Sequence, residues 1–159
     1  MPATLSMTKG ILNEFQKCGI THAIGLSDSC LKTIFDLLLQ QHEITLVSVC
    51  REGEAIAIAH GLMIGGKEPV VLHQNSGFFE SGDSVRSIAL DYGLPLLMVL
   101  GYRGWKRENR DSAAVWIEPI LDAWSIKHYL VETDADVWKI SMAHKEAREI
   151  NKPVAILIV

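Results

Sequence analysis

Short apolar runs alternate with amphipathic stretches along the whole chain. Helical spacing of apolar residues, or a run of small residues, predicts helices over 5–18, 29–41, 52–65, 79–91, 115–124 and 134–149. Aliphatic and β-branched runs predict strands over 21–26, 43–50, 69–74, 95–101, 127–131 and 153–159. Asp134 is expected to cap the last helix.

This alternation indicates the class of fold. Strands that are short and almost continuously apolar are typical of a parallel sheet that is buried on both faces. The pattern therefore predicts a doubly wound α/β fold: a six-stranded parallel sheet with helices on both faces. With 159 residues, 48% of them hydrophobic, the chain can bury a sizeable core, and residues 1–159 are expected to form a single domain.

Composition narrows the classes of function. The chain has no apolar run of about 18 residues and no signal-peptide pattern, so we expect a cytoplasmic protein that does not span a membrane. A net charge of −4 without a Lys/Arg cluster argues against nucleic-acid binding. Cys18, Cys30 and Cys50 show no metal or disulfide spacing and are predicted to be buried free thiols. Four Trp and a mean hydropathy of +0.18 suggest association with another chain.

Polar or glycine-bearing segments follow the first four predicted strands. In doubly wound sheets, ligands bind at the carboxyl ends of the strands, near the point where the strand order reverses. The segments that follow these strands are 27–29, 51–54, 73–77 and 101–104. We therefore expect the functional site at this edge of the sheet.

The residues alone leave a structural alternative open for each candidate. Glu52 and Glu54 could simply complement the positive end of the helix that follows them. Asp28 could cap the next helix, and residues 74–77 could be an ordinary loop with a helix cap. Arg103 could be a solvated loop cation. A carboxyl group among Val, Ile and Ala, as at Glu52, would nevertheless suit proton transfer.

Two further features have structural alternatives as well. His73 could be a structural histidine of the core. The segment 106–111 is mixed in charge and is predicted to be a solvated face.

Several common catalytic motifs are missing from the sequence. It contains no GxxxxGK[ST] loop, no GxGxxG after the first strand and no GxSxG elbow. The first absence excludes a P-loop nucleotide site, and the other two argue against dinucleotide binding and an α/β-hydrolase. A complete active site is therefore difficult to assemble from this chain alone.

Three segments together resemble a known family. They are "GITHAIGLSDSCLKTIFDLL", "CREGEAIAIAHGLMIGGKEPVVLHQNSGFFESGDSV" and "YGLPLLMVLGYRG". In this order and spacing they are similar to the pyrimidine-binding domain of thiamine diphosphate-dependent decarboxylases, in particular the subgroup of sulfopyruvate and phosphonopyruvate decarboxylases. The resemblance covers nearly the whole chain and implies the thiamine diphosphate-binding fold of the pyrimidine-domain type.

The resemblance implies roles for individual residues. Glu52 matches the acid that activates the cofactor through N1′ of its aminopyrimidine, whereas Glu54 falls where many relatives have Asn. The cofactor is further expected to contact Gln74, Asn75, Ser76 and Gly77. The substrate is expected to contact Asp28, which is also a catalytic candidate, and Ser29, His73, Asn75 and Arg103. Ser27 stands where Pro is usual, and His73 stands where Met is frequent.

Arg103 also suggests a substrate class. A guanidinium suits sulfonate, phosphonate or carboxylate groups because it can bind them through two hydrogen bonds. Residues 105–116, which follow it, depart from the family pattern.

The family also implies a partner. In it, the diphosphate and Mg²⁺ are held by a domain with a GDG motif and a downstream Asn, but here Gly82 and Asp83 precede Ser84. We therefore expect no metal ligands in this chain, and a hetero-oligomer with a separate diphosphate-binding beta subunit. The expected function is alpha subunit of a two-component 2-oxoacid decarboxylase. The alternatives are a carboligating synthase that uses the same cofactor, and a flavodoxin-like binding or regulatory module.

Overall fold

The structure is a computed structural model that describes residues 4–105 and 111–159. Residues 106–110, most of the segment predicted to be a solvated face, lie outside the described residues. Within the described ranges, no helix is both long enough and apolar enough to cross a membrane.

In the described part of the chain, six parallel strands form one sheet, as predicted. They are β1 (His22–Gly25), β2 (Thr45–Ser48), β3 (Pro69–Gln74), β4 (Leu97–Gly101), β5 (Lys127–Val131) and β6 (Val154–Ile158). Their order in the sheet is β2-β1-β3-β4-β6-β5, and every neighbouring pair is parallel. Every residue of β4 and β6 is buried, in keeping with their continuous apolar sequences.

Helices cover both faces of the sheet, which confirms the predicted doubly wound class. They are α1 (Leu5–Lys17), α2 (Lys32–Gln40), α3 (Glu52–Ile64), α4 (Asn75–Glu80), α5 (Gly82–Ser84), α6 (Ser112–Ala123) and α7 (Lys139–Ile150). A π-helix (Val85–Leu90) continues α5, and a short 3-10 helix (Asp134–Asp136) precedes α7. Side chains of α1, α2 and α7 pack on one face of the sheet, and those of α3, α4 and α6 pack on the other.

Helix boundaries differ from the prediction in several places. The helix predicted over 79–91 begins directly after β3, at Asn75, and has three parts because the chain turns at Ser81 and then widens into the π-helix. Helix α6 begins at Ser112 rather than 115, because the Asp111 carboxylate accepts the Ala114 N–H at 3.0 Å and caps it.

The predicted Asp134 cap is wrong. Asp134 lies in the 3-10 helix, and α7 begins only at Lys139. Asp136 instead accepts the main-chain N–H of Thr133 at 3.0 Å and caps the short turn. The Asp134 carboxylate accepts a hydrogen bond from the Ser6 hydroxyl and so joins this turn to α1.

The thiols are also more accessible than predicted. Cys50 is exposed, and Cys18 and Cys30 are only partly buried. Cys50 lies after β2, an edge strand that is itself only half-buried, so its position in an apolar run did not place it in the core.

Candidate active site

The strand order brings the predicted site residues to one edge of the sheet. Strands β1 and β3 are neighbours, but the chain leaves β1 toward the face covered by α2 and leaves β3 toward the face covered by α4. A crevice therefore opens between the carboxyl ends of β1 and β3, at the topological switch point. Asp28 lies on one side of this crevice and Gln74 on the other, with Asp28 Oδ1 and Gln74 Nε2 3.5 Å apart.

The two glutamates at the start of α3 have different environments. One Glu54 carboxylate oxygen accepts the main-chain N–H groups of Cys50 at 3.0 Å and Arg51 at 3.2 Å, so Glu54 caps the helix. The Glu52 carboxylate makes no hydrogen bond or ion pair with any residue in the described part of the chain, although its side chain is half-buried. Both glutamates thus lie in the first turn of α3, as the helix-end alternative requires, but the Glu52 carboxylate remains available to a ligand.

Gly77 makes room for Glu52. A Cβ atom at Gly77 would lie 2.6 Å from both Cγ and Oε1 of Glu52, closer than real side chains approach. The absence of a side chain at Gly77 therefore lets the Glu52 carboxylate lie directly against the first turn of α4. This contact joins the "REGEA" and "QNSG" segments, which the sequence placed at the same edge.

The segment 74–77 is a strand–helix junction rather than a free loop. Asn75 is fully buried, and its Nδ2 donates to the Arg103 main-chain oxygen at 3.0 Å. The exposed Ser76 donates its hydroxyl hydrogen bond to Gln74 Oε1 at 2.6 Å. A helix thus begins at Asn75 without a side-chain cap from Gln74, and the buried amide of Asn75 fixes the segment against the end of β4.

Asp28 and Arg103 each have one engaged and one free polar atom. Asp28 Oδ1 accepts the N–H groups of Cys30 at 2.5 Å and Leu31 at 3.1 Å, which stabilises the turn before α2 and explains why that helix starts at Lys32. Arg103 Nη2 pairs with Asp111 at 2.9 Å. Among the described residues, the buried Asp28 Oδ2 and Arg103 Nε have no hydrogen-bond partner. A buried polar atom without a partner costs free energy, so both atoms favour a bound polar ligand or water.

Cys30 lies next to this polar cluster. Burial, and then the negative charge of Asp28, raises the pKa of the Cys30 thiol. The raised pKa keeps this sulfur protonated, which argues against a nucleophilic role.

His73 does not line the edge. It is fully buried in β3, on the face opposite to Gln74, and burial lowers its pKa to about 4. Neither ring nitrogen has a hydrogen-bond partner among the described residues that meets ordinary distance and angle limits, although the Glu52 main chain and the Glu80 carboxylate are nearby. His73 is therefore buried below the edge, as the structural alternative expects, and its contact with substrate stays a prediction.

Glu80, at the end of α4, is a site residue that the sequence did not reveal. Its Oε1 accepts hydrogen bonds from Arg51 Nε at 2.9 Å and Nη2 at 2.7 Å. Its Oε2 accepts the Gly53 N–H at 2.9 Å. Glu80 lies 29 positions after Arg51 in the sequence, and no local pattern links the two, so only the fold shows the contact.

An apolar groove lies beside Ser76. It has a volume of about 430 Å³ and is lined by Ser76, Phe79, Ser112, Ala113, Trp116 and Ile120. Trp116 is 56% exposed, and Phe79 is 37% exposed. This exposed apolar area agrees with the association suggested by the composition.

The described residues contain no group of three or more His, Cys, Asp or Glu side chains that could hold a metal ion.

Three curated proteins that share one name are similar to this chain. It is 28% identical over 166 aligned positions to sulfopyruvate decarboxylase subunit alpha of Methanococcus maripaludis, covering 99% of this chain and 95% of that protein. The Methanocaldococcus jannaschii protein of the same name is 28% identical over 151 positions, covering 92% and 89%. That of Methanothermobacter thermautotrophicus is 31% identical over 105 positions, covering 66% and 64%. The chain is therefore similar to sulfopyruvate decarboxylase alpha subunits over nearly its whole length.

This similarity confirms the resemblance seen in the motifs, and it indicates an enzyme subunit rather than a flavodoxin-like binding module. No family model matches the chain.

A solved structure confirms the fold. The 2-oxoglutarate:ferredoxin oxidoreductase from Magnetococcus marinus, solved with 2-oxoglutarate, coenzyme A and succinyl-CoA bound, superposes with a TM-score of 0.74 at 16% identity. The match covers 98% of this chain but only 28% of the oxidoreductase chain, so this chain corresponds to about a quarter of that protein. The likeness confirms the predicted thiamine diphosphate-binding fold class.

Proposed function

We propose that this chain is the pyrimidine-binding alpha subunit of a two-component, thiamine diphosphate-dependent decarboxylase of small 2-oxoacids. The observation that carries the proposal is the free, half-buried carboxylate of Glu52 at the carboxyl edge of the sheet, held against Gly77. Its neighbour Glu54 is engaged at the helix start, so of these two glutamates Glu52 is the one whose carboxylate is open to a ligand.

The residues at this edge fit the aminopyrimidine end of the cofactor. An aminopyrimidine ring presents nitrogen atoms that need hydrogen-bond partners, and Glu52 supplies an uncommitted carboxylate. Gly77 makes room for Glu52 beside the Gln74–Ser76 segment. Two hydrogen bonds hold the side chains of this segment: one from Asn75 to the Arg103 main chain and one from Ser76 to Gln74. The unpartnered Asp28 Oδ2 across the crevice completes a polar lining.

These positions suggest a role for each residue. Thiamine diphosphate, when bound, supplies a nucleophilic carbon and an electron sink for the loss of CO₂. Glu52 would share a proton with N1′ of the aminopyrimidine and so act as a general acid–base. Gln74, Asn75 and Ser76 would orient the pyrimidine. Asp28, with Ser29, would face the substrate, where the free Oδ2 can hold or deliver a proton.

Arg103 supports a substrate with an anionic tail. Its Nε is buried without a partner in the described part of the chain, while Nη2 pairs with Asp111. An anionic group such as a sulfonate, phosphonate or carboxylate would satisfy the free N–H and could compete with Asp111 for the guanidinium. Sulfopyruvate, on which the relatives are named to act, carries such a tail.

The diphosphate and Mg²⁺ are assigned to a partner. The sequence lacks the GDG motif, and the described residues offer no group of three metal ligands. The relatives are named as alpha subunits, which supports a hetero-oligomer with a beta subunit that carries GDG and a downstream Asn. The apolar groove beside Ser76 provides exposed area for such an assembly.

The experiment that tests the proposal is Glu52→Gln in the complex with the beta subunit. The amide keeps the shape of the side chain but cannot accept the proton, so proton–deuterium exchange at the thiazolium C2 should fall by about a hundredfold or more. Exchange is measured by quenching samples in acid and recording the C2 proton by NMR.

Glu54→Gln is the matched control. It lies two residues away and contributes only to the helix start, so it should cost about 1 kcal/mol of stability or less and leave exchange unchanged. Equal exchange in the wild type and the Glu52 variant would refute the proposed role. A loss confined to the Glu54 variant would mean that the motif is assigned two residues out of register.

A further inference from the structure

One carboxylate holds the residues on both sides of Glu52. Glu80 accepts two hydrogen bonds from the guanidinium of Arg51, which precedes Glu52, and one from the main-chain N–H of Gly53, which follows it. These three contacts form between the last residue of α4 and the first turn of α3. The chain on either side of Glu52 is thus tied to a single point on α4.

The contact with Gly53 fills a specific need. The first N–H groups of a helix have no acceptor within the helix, and Glu80 Oε2 supplies one to Gly53. Gly53 also approaches α5 closely, since a Cβ atom there would lie 3.0 Å from Ser84 Oγ. The first turn of α3 therefore sits directly on the α4–α5 segment, with little freedom to shift.

The same helix contacts the Glu52 side chain. Gly77, three residues before Glu80 on α4, lies against the Glu52 carboxylate. The backbone next to Glu52 and the surface that its carboxylate touches are thus both parts of α4. Since α4 begins with Asn75 and Ser76, the same short helix also carries part of the segment assigned to the pyrimidine.

Stability alone does not account for this arrangement. The Arg51 side chain is 73% exposed and that of Glu80 is 31% exposed, and ion pairs at such positions contribute little to the free energy of unfolding. The Gly53 N–H, and then the Arg51 guanidinium, lower the pKa of Glu80, so its carboxylate stays ionised near neutral pH. The Arg51–Glu80 pair can contribute little to stability and still fix the direction of the Glu52 side chain, because Glu80 binds the residues on both sides of Glu52.

We propose that Glu80 is a positioning residue for Glu52: with Arg51, it aligns the Glu52 carboxylate with the pyrimidine-binding segment 74–77. The proposal rests on the function proposed above and adds a residue that touches neither cofactor nor substrate. A displacement of about 1 Å at a reacting group can cost a hundredfold in rate, so the loss of this anchor should appear in the chemistry before it appears in folding.

The test uses Glu80→Ala, Arg51→Ala and the double variant, each as the full chain and in the complex with the beta subunit. Exchange at the thiazolium C2 should fall at least tenfold in all three, with Glu80→Gln recovering part of the loss because one acceptor oxygen remains. In the full chain without cofactor, the Gly53 amide should exchange its hydrogen faster in Glu80→Ala than in the wild type, as measured by NMR.

The matched control is Asp83→Ala. Asp83 also accepts two guanidinium hydrogen bonds on one oxygen, from Arg86 Nε at 3.0 Å and Nη2 at 2.7 Å, and it is exposed. No described hydrogen bond or ion pair joins it to either residue that flanks Glu52, so its loss should leave C2 exchange and the Gly53 amide unchanged. If C2 exchange is no slower in Glu80→Ala than in Asp83→Ala, the proposal is overturned.

A pH profile separates positioning from a simple charge effect. Removing Glu80 leaves the Arg51 cation near Glu52, whereas removing Arg51 leaves the Glu80 anion. A charge effect would therefore move the pH profile of exchange in opposite directions in the two single variants and restore it in the double variant, and this result would overturn the proposal. Positioning predicts a loss of the same sign in all three.

Glu52→Gln, measured in the same experiment, distinguishes a failure of the positioning role of Glu80 from a failure of the proposed function. If Glu52→Gln suppresses exchange but Glu80→Ala does not, the positioning role fails and the proposed function stands. If Glu52→Gln leaves exchange unchanged, the proposed function fails and the positioning role fails with it.

Discussion

At the scale of single residues, two chemically identical side chains two positions apart have different roles. Glu54 directs its carboxylate to two main-chain N–H groups, whereas the Glu52 carboxylate forms no hydrogen bond or ion pair with a described residue. The motif resemblance predicted Glu52 as the active member of the pair. The sequence could not show that the Glu54 carboxylate is engaged. Its partners, the main-chain N–H groups of Cys50 and Arg51, are brought to it by the turn between β2 and α3.

His73 makes the stability of the protein depend on pH. Its pKa is about 4 in the folded protein, against an ordinary value of 6.5, because burial disfavours the charged ring. The unfolded chain therefore takes up this proton first as the pH falls. The contribution of His73 to the free energy of unfolding is complete above about pH 6.5 and is lost as the pH falls toward 4.

His73→Met should remove this contribution. Methionine is uncharged and flexible enough to fill the same space. Between pH 7 and pH 5 the wild type should lose about 2 kcal/mol more unfolding free energy than the variant, measured by urea denaturation. The exposed His42 is the control, and His42→Gln should retain the pH dependence of the wild type. Parallel curves for the wild type and His73→Met would show that His73 can be protonated without unfolding.

At the scale of elements, α4 connects the parts of the site. It begins directly after β3, ends at Glu80, and contains Gly77 against Glu52. The sequence predicted its helical region only from 79, because Asn, Ser and Gly are poor formers of helix interiors. Their presence here reflects contacts with α3 and with the Arg103 main chain, which only the packed structure shows.

Gly77→Ala should separate function from stability. Alanine favours a helix over glycine by up to about 1 kcal/mol, yet its Cβ would displace the Glu52 carboxylate. We expect a thermal midpoint close to that of the wild type and C2 exchange reduced at least tenfold in the complex. Gly61→Ala in α3, where a Cβ meets nothing within 4 Å, should stabilise the protein without altering exchange. Normal exchange in Gly77→Ala would remove this contact from the mechanism.

At the scale of the whole molecule, most of the fold follows from the sequence. Six apolar runs predicted six parallel strands, because strands buried on both faces must be apolar throughout. The edge strand β2 is only half-buried, so its apolar sequence led to the wrong burial for Cys50. The sequence placed Asp28, Glu52 and Asn75 at one edge, but the Glu80 contacts and the orientation of His73 required the packing of α4 on α3.

The chain without its partner should bind thiamine diphosphate weakly and show no turnover. It offers a surface for the pyrimidine but, in its described part, no group of metal ligands for Mg²⁺ and the diphosphate. Calorimetric titration with thiamine diphosphate and Mg²⁺ should detect little heat for this chain, and tight binding once the beta subunit is added. Tight, Mg²⁺-dependent binding by this chain alone would contradict the two-component assignment.

The position of β6 has a consequence for the order in which the sheet can assemble. Among the described strands, β5 pairs only with β6, which separates it from β4 although β6 comes later in the sequence. β5 therefore joins the rest of the sheet only through Val154–Ile158, whose pairing with β4 closes a long loop at an entropic cost. The pairs β1–β2 and β3–β4 join strands that follow each other along the chain, so the strands that lead to Glu52 and Asn75 can pair before β6 and β5 are added.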